Sequence, residues 1–339
     1  MDKVRIAIVF YLLLIMNNTL FGQDPNFSQF FSSPLNINPA LTANISSDWR
    51  LISNIRNQWL GPASPYVTGT ISFDSKIFDN KIVNVAENNF MGIGAMLMYD
   101  YAMSGIIKST YGSLDWSYNI KLAEGLSKQR LAIGFAGTYG SRHVDFSKLD
   151  FQSQFTGTGF NTNLPTGEAA LSNMKPYFAL SAGLTYSFRT ENSNLDMGIS
   201  GFNLNRPKQT FLKDENQNVP IRKVAHLNFE TYLNERTVLN TNGVYQYQSG
   251  ASYFSVGGAL GYFLQDEDKT MINAGLWYWS KNAIIPYFGF SYKDFQVGIS
   301  YDITISKLTQ ATRKPSTWEI SLILRGSKNP LNIIPCPWK

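Results

Sequence analysis

Residues 110–122 read Thr110-Tyr111-Gly112-Ser113-Leu114-Asp115-Trp116-Ser117-Tyr118-Asn119-Ile120-Lys121-Leu122. The even positions carry Leu114, Trp116, Tyr118, Ile120 and Leu122, and the odd ones Ser113, Asp115, Ser117, Asn119 and Lys121. Successive strand side chains point to opposite faces, so the stretch is a long strand with one apolar and one polar face. A helix would scatter both sets around its axis.

The same alternation spreads in both directions. Leu131, Ile133, Phe135 and Tyr139 oppose Arg130, Ala132, Gly134 and Thr138. Phe178, Leu180, Leu184, Tyr186 and Phe188 share a face, as do Phe295, Val297, Ile299, Tyr301, Ile303 and Ile305. Segments of this kind lie at about 49–59, 66–75, 90–100, 107–122, 129–142, 176–189, 195–203, 222–234, 236–248, 252–264, 270–280, 282–292, 294–306 and 316–325. The first is interrupted by Ser53 and Asn57, and 236–248 is polar on much of both faces. The total is about fourteen, and an even number returns both chain ends to the same side of a bacterial barrel.

Length separates membrane from soluble barrels. Strands of soluble sheets most often have about five or six residues, and most of these are about twice as long. Trp49 and Trp59 fall on one face, spanning roughly 33–34 Å at the usual rise. At a strand tilt of about 40° this projects to about 25 Å, the height of an apolar band between aromatic girdles. Trp277, Tyr278, Trp279 and Tyr287 are expected to cluster similarly about a tight turn at 280–282. The expected fold class is all-β: a transmembrane antiparallel up-and-down barrel of about fourteen strands.

Composition agrees. Aromatic residues make up 14% and charged residues 16% of the 339, against about 25% charged in ordinary soluble domains. The front end reads as an export signal over residues 1–22. Lys3 and Arg5 precede the apolar run from Ile6 to Met16, too short to span a bilayer as a helix, and small Gly22 precedes Gln23. Removing 1–22 takes away Lys3, Arg5 and Asp2, so the net charge of +5 becomes +4. That spread-out excess gives no nucleic-acid footprint. Cys336 is the sole cysteine, so no intramolecular disulfide exists. Its thiol either packs in a buried place, the preferred reading, or pairs with another chain.

The expected organisation is a signal peptide at 1–22, an N-terminal periplasmic or plug segment at 23–47, a barrel at 48–325 and a periplasmic tail at 326–339. The front segment carries Phe27, Phe30, Phe31, Leu35, Ile37 and Leu41, too much apolar surface for a solvated linker. It is expected to pack against or inside the barrel. The long connections 143–175 and 203–221 fall on the outer face, and the longish connection 76–89 on the inner one.

The residues offer little chemistry. Only His143 and His226 exist, which leaves no multi-histidine metal cluster and no convincing serine–histidine pair. His226 lies on a polar face beside Asn228 and Glu230 and reads as lumen-lining. Glycine groupings such as Gly92-Ile93-Gly94 sit within strands, away from any strand-to-helix phosphate loop. No catalytic residue, metal or cofactor is expected. Arg50, Arg56, Asp74, Asp115, Lys121, Arg130 and Arg142 occupy polar faces. Charges there line water or pair across a lumen, and structural pairing is preferred to a selectivity filter.

Several motifs carry a family resemblance. Gln23-Asp24-Pro25-Asn26-Phe27-Ser28-Gln29-Phe30 and Pro34-Leu35-Asn36-Ile37-Asn38-Pro39-Ala40-Leu41 resemble the mature start of the PorP/SprF family. So do Asp48-Trp49-Arg50, Arg56-Asn57-Gln58-Trp59, Pro65-Tyr66 and Ser72-Phe73-Asp74. Gly298-Ile299-Ser300-Tyr301-Asp302-Ile303-Thr304, Ser306-Lys307-Leu308 and Glu319-Ile320-Ser321-Leu322 resemble its final hairpin. Cys336-Pro337 resembles its terminal Cys-Pro, with Trp338 where Arg then Phe is commoner; the middle of the chain matches mainly in strand rhythm.

The resemblance implies an outer-membrane barrel of the type IX secretion system of Bacteroidota. Such a barrel contacts periplasmic parts of the secretion and gliding machinery, or assists export and surface attachment of an adhesin. Besides outer-membrane lipid, the expected partners are those components and the C-terminal domain of a secreted adhesin. The front segment and tail are expected to emerge on the periplasmic side, with the outer loops facing the adhesin. Motif residues expected to contact partners or support the structure are Phe27, Gln29, Phe30, Asn38, Pro39, Arg50, Arg56, Trp59, Cys336 and Pro337. The alternative is a passive channel or a transporter of hydrophobic substrates.

Overall fold

The computed structural model describes residues 24–61, 64–77, 89–123, 127–167, 174–209, 217–265, 270–310 and 315–327. The signal-peptide reading, most of 76–89, Cys336 and Pro337 lie outside them. The strands are β1 (Trp49–Leu60), β2 (Tyr66–Lys76), β3 (Phe90–Ala102), β4 (Ile107–Ala123), β5 (Lys128–Val144), β6 (Tyr177–Arg189), β7 (Ser193–Phe202) and β8 (Arg222–Asn234). They continue with β9 (Thr237–Gln248), β10 (Ala251–Gln265), β11 (Thr270–Trp279), β12 (Ala283–Tyr292), β13 (Phe295–Tyr301), β14 (Ile303–Thr304) and β15 (Ser316–Gly326).

Neighbours in sequence pair antiparallel from β1 through β13, β13 pairs with β15, and β15 returns to β1. The sheet therefore closes, leaving no unpaired edge. The thirteenth segment of the sequence reading is split into β13 and β14, which continue one register against β12. The break falls at the level of Pro286 on β12. Proline has no N–H for the ladder, so pairing lapses there and resumes beyond it. The barrel thus has fourteen staves, one of them interrupted.

Polarity is inverted relative to a soluble protein. On β4, Leu114 is 73% exposed on the outside, whereas its neighbour Asp115 is 4% exposed within. Leu97, Phe135, Phe178, Ile199, Leu260 and Phe288 join the outer belt, while Ser117, Asn119, Thr185, Asn240 and Gln296 are buried inside. In water each such apolar side chain would forgo about 1.5–3 kcal/mol of burial; hydrocarbon removes that penalty.

One end carries the connections 145–176 and 203–221, and the other carries turns as tight as Glu235-Arg236 and Lys293-Asp294. At the long-loop end, Ser249 and Gly250 link β9 to β10 with φ values of 52° and 83°, the doubly left-handed form that twisted hairpins favour.

The expected aromatic girdle holds in part. Trp49 stacks on Phe73 with ring centroids 6.3 Å apart, and Trp59 meets Tyr66 edge-on at 5.4 Å. Phe73 and Tyr66 are both exposed on the outer surface. The group near 280 differs: Trp277, Trp279 and Tyr287 are buried in the lumen, and only Tyr278 faces outward. Odd and even positions of β11 must point opposite ways, and apolar side chains of residues 30–41 occupy the lumen facing the odd ones.

A plugged lumen as the candidate functional site

Residues 24–47 lie inside the barrel. Two prolines shape this segment. Pro34 opens the one-turn helix α1 (Pro34–Ile37), and Pro39 opens a 3-10 turn (Pro39–Leu41), positions where a missing N–H costs nothing. Asn38 joins them: its Oδ1 accepts from Ala40 N at 2.9 Å. Turns within the segment pair many of its backbone groups, among them Ser32 N with Gln29 O and Asn38 N with Pro34 O. Side chains of the barrel wall take up others.

Toward the long-loop end, Asp24 forms an ion pair with Arg222 at 3.2 Å, and its N–H donates to Gln248 at 3.0 Å. Glu319, wholly buried, accepts from the N–H groups of Ser28 at 2.7 Å and Gln29 at 3.1 Å. Ser28 Oγ donates to Asp302, which is also held at 2.8 Å by Arg56 Nη2. The other Arg56 terminal nitrogen donates to Asn26 O at 2.8 Å, and its guanidinium lies over the Trp279 ring at 4.8 Å. Gln29 Nε2 donates to Ser300 Oγ, and Ser321 donates to Gln29 Oε1.

Half-way down, Asn38 Nδ2 is 3.0–3.2 Å from Leu184 O, Thr185 Oγ1, Ile199 O and His226 Nε2. Ser200 donates to Ile37 O at 2.6 Å. The wall leaves space here with glycine. A Cβ at Gly134 would strike the Pro39–Ala40 backbone, and one at Gly183 would strike the Asn38 amide. At the short-turn end, Asp74 accepts from Ala43 N at 2.8 Å while bound by Arg50 at 2.8 and 3.0 Å. Ser117 donates to Thr42 O, and Arg189 to Asn44 Oδ1.

Apolar side chains complete the plug. Phe30 and Ile37 join Trp277, Trp279, Ile285 and Tyr287, with Phe31 4.7 Å from the Trp277 ring. Phe27 and Leu35 pack on Met96 and Met98. Trp277 Nε1 donates to Asn242 Oδ1 at 2.6 Å, so this buried indole keeps a polar partner.

Seven of the motif residues therefore meet in the lumen: Phe27, Gln29, Phe30, Asn38, Pro39, Arg50 and Arg56. Trp59 stands at an irregularity of the β1–β15 ladder with φ 63°, its ring on the outer aromatic pair. The expectation that the front segment emerges on the inner side is corrected. Its first described residue, Asp24, lies by Arg222 and Gln248 at the long-loop end, and the chain runs through the lumen to begin β1 at the other. The sequence reading singled out neither Glu319 nor Arg222 as a site residue. Both are charged residues on lumen-facing strand positions, the signal that could have found them.

Among the described residues, two of the interior cavities lie on opposite sides of the plug, each with about 550 Å³ of empty space when the open solvent at its mouth is counted. Leu35 and Asn36 face the one nearer the long loops, and Pro34 and Ile37 the other, so α1 is the partition.

The family model described as "Type IX secretion system membrane protein PorP/SprF" matches residues 19–324. A search of curated proteins gives no match. Among solved structures, the Pseudomonas putida toluene transporter TodX is similar at TM-score 0.50 and 12% identity, covering 86% of this chain and 92% of that one. The Ralstonia pickettii toluene transporter TbuX gives 0.47 and 11%, covering 87% and 94%. A Pseudomonas aeruginosa FadL homologue gives 0.48 and 12%, covering 91% and 95%. At such identity the likeness to TodX shows a shared barrel fold and nothing about cargo. Matched over nearly all of its barrel, the chain belongs to the PorP/SprF family of type IX secretion system membrane proteins.

Proposed function

We propose that this outer-membrane barrel is a non-enzymatic accessory of type IX secretion that supports export or surface attachment of a specific adhesin and docks periplasmic machinery. The observation that carries this reading is the lumen filled by the chain's own residues 24–47. A barrel so occupied works through its two rims, with the long loops outside and the short turns and tail in the periplasm. In the connection after β5, residues 151–164 form a folded surface. Gln154 is buried within it, donating to Leu164 O at 2.9 Å and accepting from Phe151 N at 3.1 Å. Around that centre Phe155 and Phe160 pair at 5.2 Å, each more than half exposed. Solvent-facing aromatic pairs on an ordered loop suit a protein partner, here the adhesin's C-terminal domain.

Deleting the gene and profiling surface and secreted proteins tests the proposal. Loss of one large surface protein, restored by the plasmid-borne gene, is expected. An unchanged profile would overturn it.

A further inference from the structure

We propose that the cavity on the long-loop side of the plug binds a small, uncharged, mostly apolar molecule that enters sideways from the outer leaflet between β6 and β7. The juxtaposition behind this is a wall formed by loop residues beyond the end of β7 and not by a strand. Asn203 lines the cavity, and Leu204, next in sequence, is exposed on the lipid-facing surface.

The β6–β7 ladder stops at Ala182↔Gly201. Residues 177–180 of β6 therefore extend past β7. Across this gap lies a short flap in place of a strand. Leu204 N donates to Leu180 O at 2.8 Å, while the Asn205 side-chain amide accepts from Leu180 N at 2.9 Å and donates to Phe178 O at 2.8 Å. A side-chain amide thus imitates the missing peptide group. The flap is bracketed by Asn203 and Arg206 at φ 58° and 45°, a backbone region that non-glycine residues adopt at some cost. Among the described residues, one backbone and two side-chain hydrogen bonds join this flap to β6, against a continuous ladder on the β5 side.

The cavity behind it suits an apolar guest. Leu35, Met96, Met98 and Phe202 supply apolar surface and Tyr111 and Tyr177 hydroxyls, while its charged residues are already engaged, Asp24 with Arg222 and Asp115 with Ser113. Methionines adapt to irregular shapes. The route fixes the charge of the guest, because an ion cannot cheaply enter through hydrocarbon. Residues Leu35 and Asn36 close the floor, so this is a binding pocket and not a path across the membrane.

The test uses the barrel in lipid nanodiscs with 1-aminoanthracene as the fluorescent probe, measured against empty nanodiscs. Saturable binding is expected, weakened about tenfold or more by the cavity-filling variants Ala136→Trp and Met98→Trp, whose folding is checked by heat-modifiable migration. In a Cys336→Ser background, Leu180→Cys with Leu204→Cys should form a disulfide across the flap. Oxidised, that protein should load the probe several-fold more slowly, and dithiothreitol should restore the rate. Equal affinity in the wild type and both folded filling variants would overturn the pocket. An unchanged loading rate in the oxidised form would overturn the lateral route.

Discussion

Arg56 and Asp302, 246 positions apart in sequence, form a buried ion pair at 2.8 Å inside the barrel, and both also hold the plug. Arg56 binds the carbonyl of Asn26, and Asp302 the hydroxyl of Ser28. Glu319 completes the latch from β15. The first and last thirds of the chain are thereby fastened together through the segment that precedes the barrel.

Breaking this pair should be costly. Arg56→Ala strands a buried carboxylate and is expected to destabilise the barrel by about 3–5 kcal/mol, read as a lower urea midpoint in lipid vesicles. The paired change Arg56→Met with Asp302→Leu removes both charges and should lose less than either single truncation. If it loses as much as their sum, the pair is not a coupled unit.

The glycines opposite the plug make a sharper test. Gly134→Leu would strike the Pro39–Ala40 backbone, and Gly183→Val the Asn38 amide. Both are better strand formers than glycine, so the wall should still form while the plug is pushed aside. Trypsin should then cut between residues 24 and 48 after an arginine or lysine is engineered there, while the same site in an otherwise unchanged protein resists.

The direction of threading is open to labelling. In a Cys336→Ser background, Asp24→Cys should react with a membrane-impermeant maleimide on intact cells. Ser47→Cys, buried at the short-turn end, should react only after lysis. The reverse pattern would place the segment the other way round.

Much of the wall was legible in sequence, because period-two alternation is a local property. The stretch 110–122 alone shows which side chains face out, and all fourteen segments appear as strands with ends shifted by a few residues. The path of residues 24–47 is not local. Phe27, Phe30 and Leu41 signal that the segment needs cover, but its direction depends on Asp24 meeting Arg222 and Ser28 meeting Glu319, contacts that no spacing encodes. Trp277 and Trp279 were misread for the same reason. An aromatic at a strand end looks like a girdle residue until its facing partner, here Phe31, is known. The split of the thirteenth stave could have been anticipated only by knowing that Pro286 lies level with it.

The loop after β5 should matter for partner capture and little for folding. Phe155→Ser with Phe160→Ser leaves the Gln154-centred hydrogen bonds in place. It is expected to reduce surface retention of the adhesin in whole-cell immunoblots, with unchanged barrel amount and heat-modifiable migration. Normal retention would move the docking surface elsewhere on the rim.

The occupied lumen is tested most directly by single-channel recording in planar bilayers. The full-length barrel should show no large steady conductance, and Gly134→Leu should open one. A large steady current through the unaltered protein would contradict a plugged barrel and favour a channel.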